Sequence, residues 1–127
     1  MKTDNELFVH HIVLVVSDLK RSEEFYSKIF GKPKFSGKDE YMYMLGKAML
    51  FICSPYGKIS KDDRFNPNRI GLEHLAFGVK SLKALKKIEL HLNKHKIKNS
   101  GIHIDKHSKK EKIWLDDPDG IRLEFYL

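Results

Sequence analysis

The chain has 127 residues, 41% of them hydrophobic and 11% aromatic, which allows one domain with a real core and excludes a disordered protein. Cys53 is the only cysteine, so a disulfide framework and a cysteine-based zinc site within the chain are excluded. The longest apolar stretch, Ile12–Val16, is far shorter than the ~20 residues of a membrane span, and the start of the chain has no export-signal pattern. The sequence therefore indicates a cytoplasmic protein without a membrane partner.

The formal net charge of +7 is concentrated in one segment. Residues 80–112 contain 11 Lys and three Asp or Glu, while the rest of the chain is close to neutral. Such a segment can attract anions or nucleic acid, but lysines alone carry no base specificity. We interpret this segment as a solvated helix face and expect no specific nucleic-acid partner. Binding of an anion or nucleic acid by this segment is kept as a hypothesis for function, behind the two described below.

The first half of the sequence predicts a strand, a helix and three short strands. The β-branched run Val9–Val16 is typical of a strand. Ser17 is a good N-cap for the helix that follows, and Gly31 with Pro33 ends that helix. The charged stretch 54–69, with two prolines, predicts a connecting loop. The three strand candidates before it lie around Lys34–Ser36, Tyr41–Leu45 and Ala48–Cys53.

The second half predicts the same series of elements. Leu72–Val79 is a strand candidate, Ser81 is a cap, and leucines at helical spacing follow it. Asp117-Pro118-Asp119-Gly120 predicts a tight hairpin, because proline presets φ for a turn and glycine accepts a positive φ. Three further strands are predicted near Gly101–Asp105, Lys112–Leu115 and Ile121–Tyr126.

The two halves align as an internal repeat, with His11-Ile12-Val13-Leu14 matching His74-Leu75-Ala76-Phe77. The sequence therefore predicts an α+β fold of two tandem βαβββ modules. We expect these modules to form a cupped, partly open mixed β-sheet with the helices outside. Module one spans about residues 8–54, the linker about 55–70 and module two about 71–127, all within a single domain that covers 1–127.

Strand alternation predicts which side chains share a face, because successive residues point to opposite sides of a sheet. One face of each strand is bulky and suits packing on the module's helix. The other faces would line a shared cavity if the two sheets face one another, with smaller residues leaving room for a ligand. These second faces carry His11, Val13 and Val15; Met49, Phe51 and Cys53; His74, Ala76 and Gly78; and Arg122, Glu124 and Tyr126.

Three runs of the sequence resemble the vicinal oxygen chelate superfamily: HHIVLVVSDLKRSEEFYSKIFG, NRIGLEHLAFGV and WLDDPDGIRLEFYL. That group includes glyoxalases, fosfomycin-resistance transferases, extradiol dioxygenases and bleomycin-binding proteins. The resemblance implies the glyoxalase-like fold and one divalent metal (Mn, Fe, Ni, Zn or Co) held by His11, His74 and Glu124. It also implies a homodimer, in which His11 can meet the other two ligands across an interface.

Two imidazoles and one carboxylate leave metal positions open for a small substrate that chelates through vicinal oxygens. The leading hypothesis is therefore a metal-dependent lyase, isomerase or thiol transferase, with dioxygenase chemistry less favoured. Glyoxalases commonly have a fourth, carboxylate ligand where this chain has Phe51, and the stretch Lys112-Ile113-Trp114 departs from the fosfomycin-resistance pattern. The alternative is a metal-free binding protein that sequesters a small molecule or antibiotic, as bleomycin-binding relatives do.

Six residues are candidates for the substrate pocket: Phe51, Cys53, Tyr43, Trp114, Arg122 and Tyr126. Aromatic side chains suit pocket walls, and Arg122 could bind an anion or support the metal ligands. Tyr43 and Trp114 have a competing interpretation, because at least one of the two is expected to pack in the core instead. No sequence motif identifies a general base or activates the thiol of Cys53.

Overall fold

Each half of the chain forms one four-stranded mixed sheet and one helix. The computed structural model describes residues 6–127, which divide into two compact units, with unit 1 ending at Asp63 and unit 2 beginning at Arg64. This boundary lies inside the stretch predicted as a connecting loop. In both units the first strand pairs in parallel with the last strand, so the predicted α+β fold of two βαβββ modules is confirmed.

Unit 1 has the sheet order β1-β4-β3-β2, in which β1 and β4 are parallel and the other pairs are antiparallel. Its elements are β1 (His11–Val15), α1 (Leu19–Phe30), β2 (Phe35–Ser36), β3 (Glu40–Leu45) and β4 (Ala48–Cys53).

Unit 2 repeats this arrangement with the sheet order β5-β8-β7-β6. Its elements are β5 (Leu75–Gly78), α2 (Leu82–Lys94), β6 (His103–Ile104), β7 (Glu111–Asp116) and β8 (Arg122–Tyr126). No helix within residues 6–127 is long and apolar enough to cross a membrane.

The start of α1 differs from the prediction by one residue. Asp18, not Ser17, is the N-cap: its backbone is extended and its carboxylate accepts the backbone N–H of Arg21 at 3.0 Å. The Ser17 hydroxyl instead accepts a hydrogen bond from the Arg21 guanidinium at 2.9 Å. Both residues are good caps, so their order in the sequence did not decide between them. The predicted end at Gly31, with φ +81°, is confirmed.

The turn Asp117-Pro118-Asp119-Gly120 joins β7 to β8 as predicted. The Gly120 N–H donates to the Asp117 carbonyl at 2.9 Å, and Gly120 has φ +82°. One carboxylate oxygen of Asp117 accepts the backbone N–H groups of Asp119 and Ile121, each at 2.8 Å. Because this turn is tightly closed, it fixes the register that places Trp114 opposite Glu124.

Tyr43 lies on the helix side of the unit 1 sheet, in the core. Its ring centroid is 5.4 Å from that of Phe30 on α1, and the residue is 3% exposed. In the register of the sheet it is opposite Leu50, on the face that bears Leu14 and Ile52 rather than the face of His11. The pocket role proposed for Tyr43 is therefore replaced by core packing, because β3 alternation turns it away from that face.

Replacing Tyr43 by phenylalanine tests this placement. The hydroxyl is buried without a hydrogen-bond partner among the described residues, so Tyr43→Phe should leave the free energy of unfolding at pH 7 within about 1 kcal/mol of wild type, or raise it. Burial first, and then the charge of Glu23, raises the pKa of Tyr43 to about 12. An unfolded tyrosine has a pKa of ~10, so between pH ~10 and 12 the unfolded chain loses this proton while the folded chain keeps it. The contribution of the protonated Tyr43 to the free energy of unfolding is therefore complete below pH ~10 and is lost as the pH rises towards 12. Urea unfolding should therefore show a smaller alkaline loss for Tyr43→Phe; a loss equal to that of wild type would contradict the assignment.

Candidate metal centre

His74 and Glu124 are brought together by the parallel pairing of β5 and β8. Ala76 lies opposite Glu124 in this register, and His74 immediately precedes β5. The Nε2 atom of His74 is 3.6 Å from Oε2 of Glu124. Two of the three predicted ligands thus lie side by side, although they are 50 positions apart in the sequence.

The orientation of the His74 ring is set by its neighbour in the sequence. Nδ1 of His74 lies 2.8 Å from Oε2 of Glu73. A carboxylate accepts at this distance, so Nδ1 is the donor to Glu73, and Nε2 is the atom that faces Glu124. A carboxylate behind a ligating histidine is the usual support for a metal ligand in proteins.

Glu124 is a buried carboxylate with one oxygen left without a hydrogen bond. The residue is 5% exposed, and its Oε2 has no hydrogen-bond partner among the described residues. Burying an ionised carboxylate is costly unless a cation or hydrogen bonds compensate it. This oxygen therefore marks a position in unit 2 where a cation is favoured.

Lys112 on β7 is the positive group near Glu124. Its Nζ is 3.1 Å from Oδ1 of Asp105, 3.6 Å from Oε2 of Glu124 and donates to the Tyr126 hydroxyl at 3.0 Å. The pKa of Lys112 is raised above its ordinary value. The largest cause is the hydrogen bond with Tyr126, and smaller causes are the hydrogen bond with Asp105 and the negative charge of Glu124. The ammonium is therefore charged throughout the physiological range.

Asp105 and Tyr126 complete this cluster. The backbone N–H of Ser108, and then the hydrogen bond with Lys112, hold the pKa of Asp105 well below its usual range. A hydrogen bond with Glu124 is the first cause that raises the pKa of Tyr126. The Tyr126 hydroxyl is thus protonated at neutral pH and serves as a polar contact in this cluster.

Arg122 forms a flat wall beside Glu124. Its guanidinium lies over the Trp114 ring, 3.7 Å from the centroid, and Trp114 is directly opposite Glu124 in the sheet. The Asp116 carboxylate accepts hydrogen bonds from Nε and Nη2 of Arg122 and is the first cause of the raised pKa of Arg122. Arg122 and Lys112 thus each have a closer carboxylate than Glu124.

In unit 1, His11 lies on the first strand, at the position that repeats as His74. It is opposite Met49, and its ring meets Phe51 edge to face at a centroid distance of 5.9 Å. Its Nδ1 is 2.8 Å from Nδ1 of the neighbouring His10. Cys53 lies on the same face; burial, and then the charge of Glu40, raises the pKa of its thiol, so it is not an activated nucleophile.

Of the three predicted ligands, His74 and Glu124 are adjacent in unit 2. His11 lies in unit 1, and its part in a shared metal site stays a prediction. Within residues 6–127 no group of three His, Cys, Asp or Glu side chains that could hold a metal ion is found. Of the pocket candidates, five lie on the expected strand faces, where substrate contact stays a prediction: Phe51, Cys53, Trp114, Arg122 and Tyr126.

Lys112 and Asp105 were missed as members of the site. The alternation of β7 carried a signal for Lys112, because it lies two residues before Trp114 and so shares its face. Asp105 had no such signal, since its contact with Lys112 depends on how the turn after β6 folds back.

Comparison with known proteins identifies the family. A sequence model of the Glyoxalase/Bleomycin resistance protein/Dioxygenase superfamily matches residues 8–125. The chain is 30% identical over 124 residues to the uncharacterized protein YaeR of Escherichia coli, covering 93% of this chain and 94% of that protein. It is 29% identical over 124 residues to a trivalent organoarsenical cleaving enzyme of a Bacillus species, covering 91% of this chain and 70% of the enzyme.

A solved structure gives the same result. The glyoxylase/bleomycin resistance protein/dioxygenase domain from a Frankia species is 26% identical, with a TM-score of 0.78, and the match covers 95% of this chain and 97% of that domain. The chain therefore belongs to the Glyoxalase/Bleomycin resistance protein/Dioxygenase superfamily, and the resemblance seen in the sequence is confirmed. This superfamily includes enzymes, of which the arsenical cleaving enzyme is one.

Proposed function

We propose that this chain is a metal-dependent enzyme that acts on a small molecule chelating the metal through vicinal oxygens. The observation that carries the proposal is the buried Oε2 of Glu124, which has no hydrogen-bond partner within residues 6–127 and lies 3.6 Å from Nε2 of His74. An imidazole nitrogen and a carboxylate oxygen are ordinary ligands of Mn²⁺, Fe²⁺, Co²⁺, Ni²⁺ and Zn²⁺.

The residues around this pair fit a divalent metal. Glu73 holds the His74 ring so that Nε2 faces Glu124. Lys112 forms an ion pair with Asp105, and Arg122 forms one with Asp116. The negative charge of Glu124 is therefore only partly compensated by these two cations. We propose His11 as the third ligand, from the same chain or from the second chain of a homodimer.

A bound divalent metal supplies Lewis acidity toward the two substrate oxygens. The chain's own residues would bind and orient the substrate. The Arg122–Trp114 stack offers a flat cationic surface beside Glu124 on the same face of the sheet. We favour lyase, isomerase or thiol-addition chemistry, and the name of the arsenical cleaving enzyme agrees with a bond-breaking reaction.

Partners follow from the same proposal. We expect a homodimer in the cytoplasm with a small-molecule substrate. Two valines on β1, Val13 and Val15, are about half exposed at 49% and 50% on the face that carries His11. Apolar side chains exposed together on one sheet face are typical of a surface that binds a partner or a ligand.

A second candidate is a metal-free protein that sequesters a small molecule. It is favoured by Lys112, an internal cation 3.6 Å from the same Glu124 oxygen. The two candidates separate in one ligand screen carried out with Ni²⁺ and with a chelator. Binding that needs the metal supports the enzyme, and equal binding under both conditions supports the sequestering protein.

The proposed function is tested by metal-dependent turnover of compounds with adjacent oxygens, such as 2-hydroxy ketones, hemithioacetals and catechols. Wild type should convert at least one compound only when a divalent metal is present. His74→Ala should abolish this conversion, because it removes a ligand, whereas the exposed His107→Ala should not change it. Turnover that persists in a chelator, or in His74→Ala, would contradict the proposal.

A further inference from the structure

A lysine contacts the carboxylate oxygen that we propose as a metal ligand. Nζ of Lys112 and Nε2 of His74 are each 3.6 Å from Oε2 of Glu124. Lys112 reaches this position because it lies on β7 opposite Tyr126, on the sheet face of Glu124. The two contacts compete for one oxygen, since an ammonium and a divalent cation both seek its negative charge.

The ammonium is fixed in this position by two other groups. Asp105 lies 3.1 Å from Nζ, and the Tyr126 hydroxyl accepts from Nζ at 3.0 Å. Asp105 is itself anchored, because its other carboxylate oxygen accepts the backbone N–H groups of His107 and Ser108 at 3.2 and 2.7 Å. The lysine side chain is only 17% exposed. It is therefore a tethered positive charge rather than a mobile surface lysine.

We propose that Lys112 is an internal competitor for the metal, which partly compensates the charge of Glu124 in the metal-free protein and weakens divalent cation binding at His74 and Glu124. This inference rests on the proposed function and concerns the regulation of the same site. A unit charge and a divalent charge about 5 Å apart repel each other by enough, even at the dielectric constant of water, to lower affinity by about tenfold.

A purely structural lysine would behave differently. If Lys112 only held the turn after β6 through Asp105, its removal would loosen the surroundings of Glu124. Metal binding would then weaken or stay the same. A competitor predicts the opposite sign, because removal of the ammonium also removes the repulsion.

Calorimetric titration with Ni²⁺ measures that sign. Lys112→Met should bind Ni²⁺ at least about tenfold more tightly than wild type. Lys112→Arg, which keeps the charge, should bind more weakly than Lys112→Met. The control Lys110→Met removes an exposed charge on the turn 105–110 and should bind as wild type does. If Lys112→Met fails to fold, Lys112→Gln removes the same charge and keeps a hydrogen-bond donor for Asp105.

Thermal unfolding of the metal-free protein gives a second, independent result. Lys112→Met should lower Tm by several degrees, because Glu124 and Asp105 both lose their cation. The drop should be smaller in the Glu124→Gln background, where only Asp105 is left uncompensated. Equal Tm drops in the two backgrounds, or equal Ni²⁺ affinities of wild type and Lys112→Met, would overturn this inference about Lys112 and leave the proposed function standing. If neither protein bound Ni²⁺, the proposed function and this inference would both fail.

Discussion

Glu124→Gln should lower the affinity for divalent metal by about a hundredfold or more. Loss of supporting groups around a metal already costs ~10–100-fold, and Glu124 is proposed as a ligand itself. The amide keeps the shape of the side chain but removes its charge. A loss of metal affinity would therefore reflect the loss of a ligand and not a change in the fold. Binding is measured by calorimetric titration with Ni²⁺ at neutral pH.

The matched control for this variant is Glu24→Gln, which makes the same change at an exposed position on α1. It should bind Ni²⁺ as wild type does. If Glu124→Gln also bound as wild type does, the carboxylate would not be a ligand. The buried Oε2, which has no hydrogen-bond partner among the described residues, would then need another explanation.

Leu85→Ala should destabilise the protein by about 2–5 kcal/mol, the usual cost of a cavity left by a core leucine. Leu85 is fully buried on α2, which packs against β7. The matched control is Leu90→Ala on the same helix, because Leu90 is 68% exposed. Its cost should stay below about 1 kcal/mol. Urea unfolding monitored by circular dichroism measures both, and similar losses would contradict the assigned helix face.

Much of the fold could be predicted because its signals are local. The alternation of β1 and β8, the cap at Ser81 and the turn after Asp117 each depend on a few neighbouring residues. Two positions needed correction, for different reasons. Ser17 and Asp18 are equivalent as caps in sequence, and Tyr43 could be assigned to the core only once its strand register was known.

The site was predictable in part for the same reason. Repeat position and alternation placed His74 and Glu124 on one face, and their separation of 3.6 Å follows from the pairing of β5 with β8. Alternation indicated the sheet face of Lys112, but not its distance of 3.6 Å from Glu124, because Asp105 and Tyr126 hold its ammonium there only once the turn after β6 has folded. Charge compensation depends on distances between side chains, and sequence spacing does not determine them.

The most direct test of the metal centre is elemental analysis of purified protein after loading with Ni²⁺ and removal of the excess. We expect about one metal ion per chain for wild type, because each chain carries one His74–Glu124 pair. We expect none for the double variant His74→Ala with Glu124→Ala. One metal ion per chain in that double variant, with the fold intact by circular dichroism, would contradict the proposed metal centre.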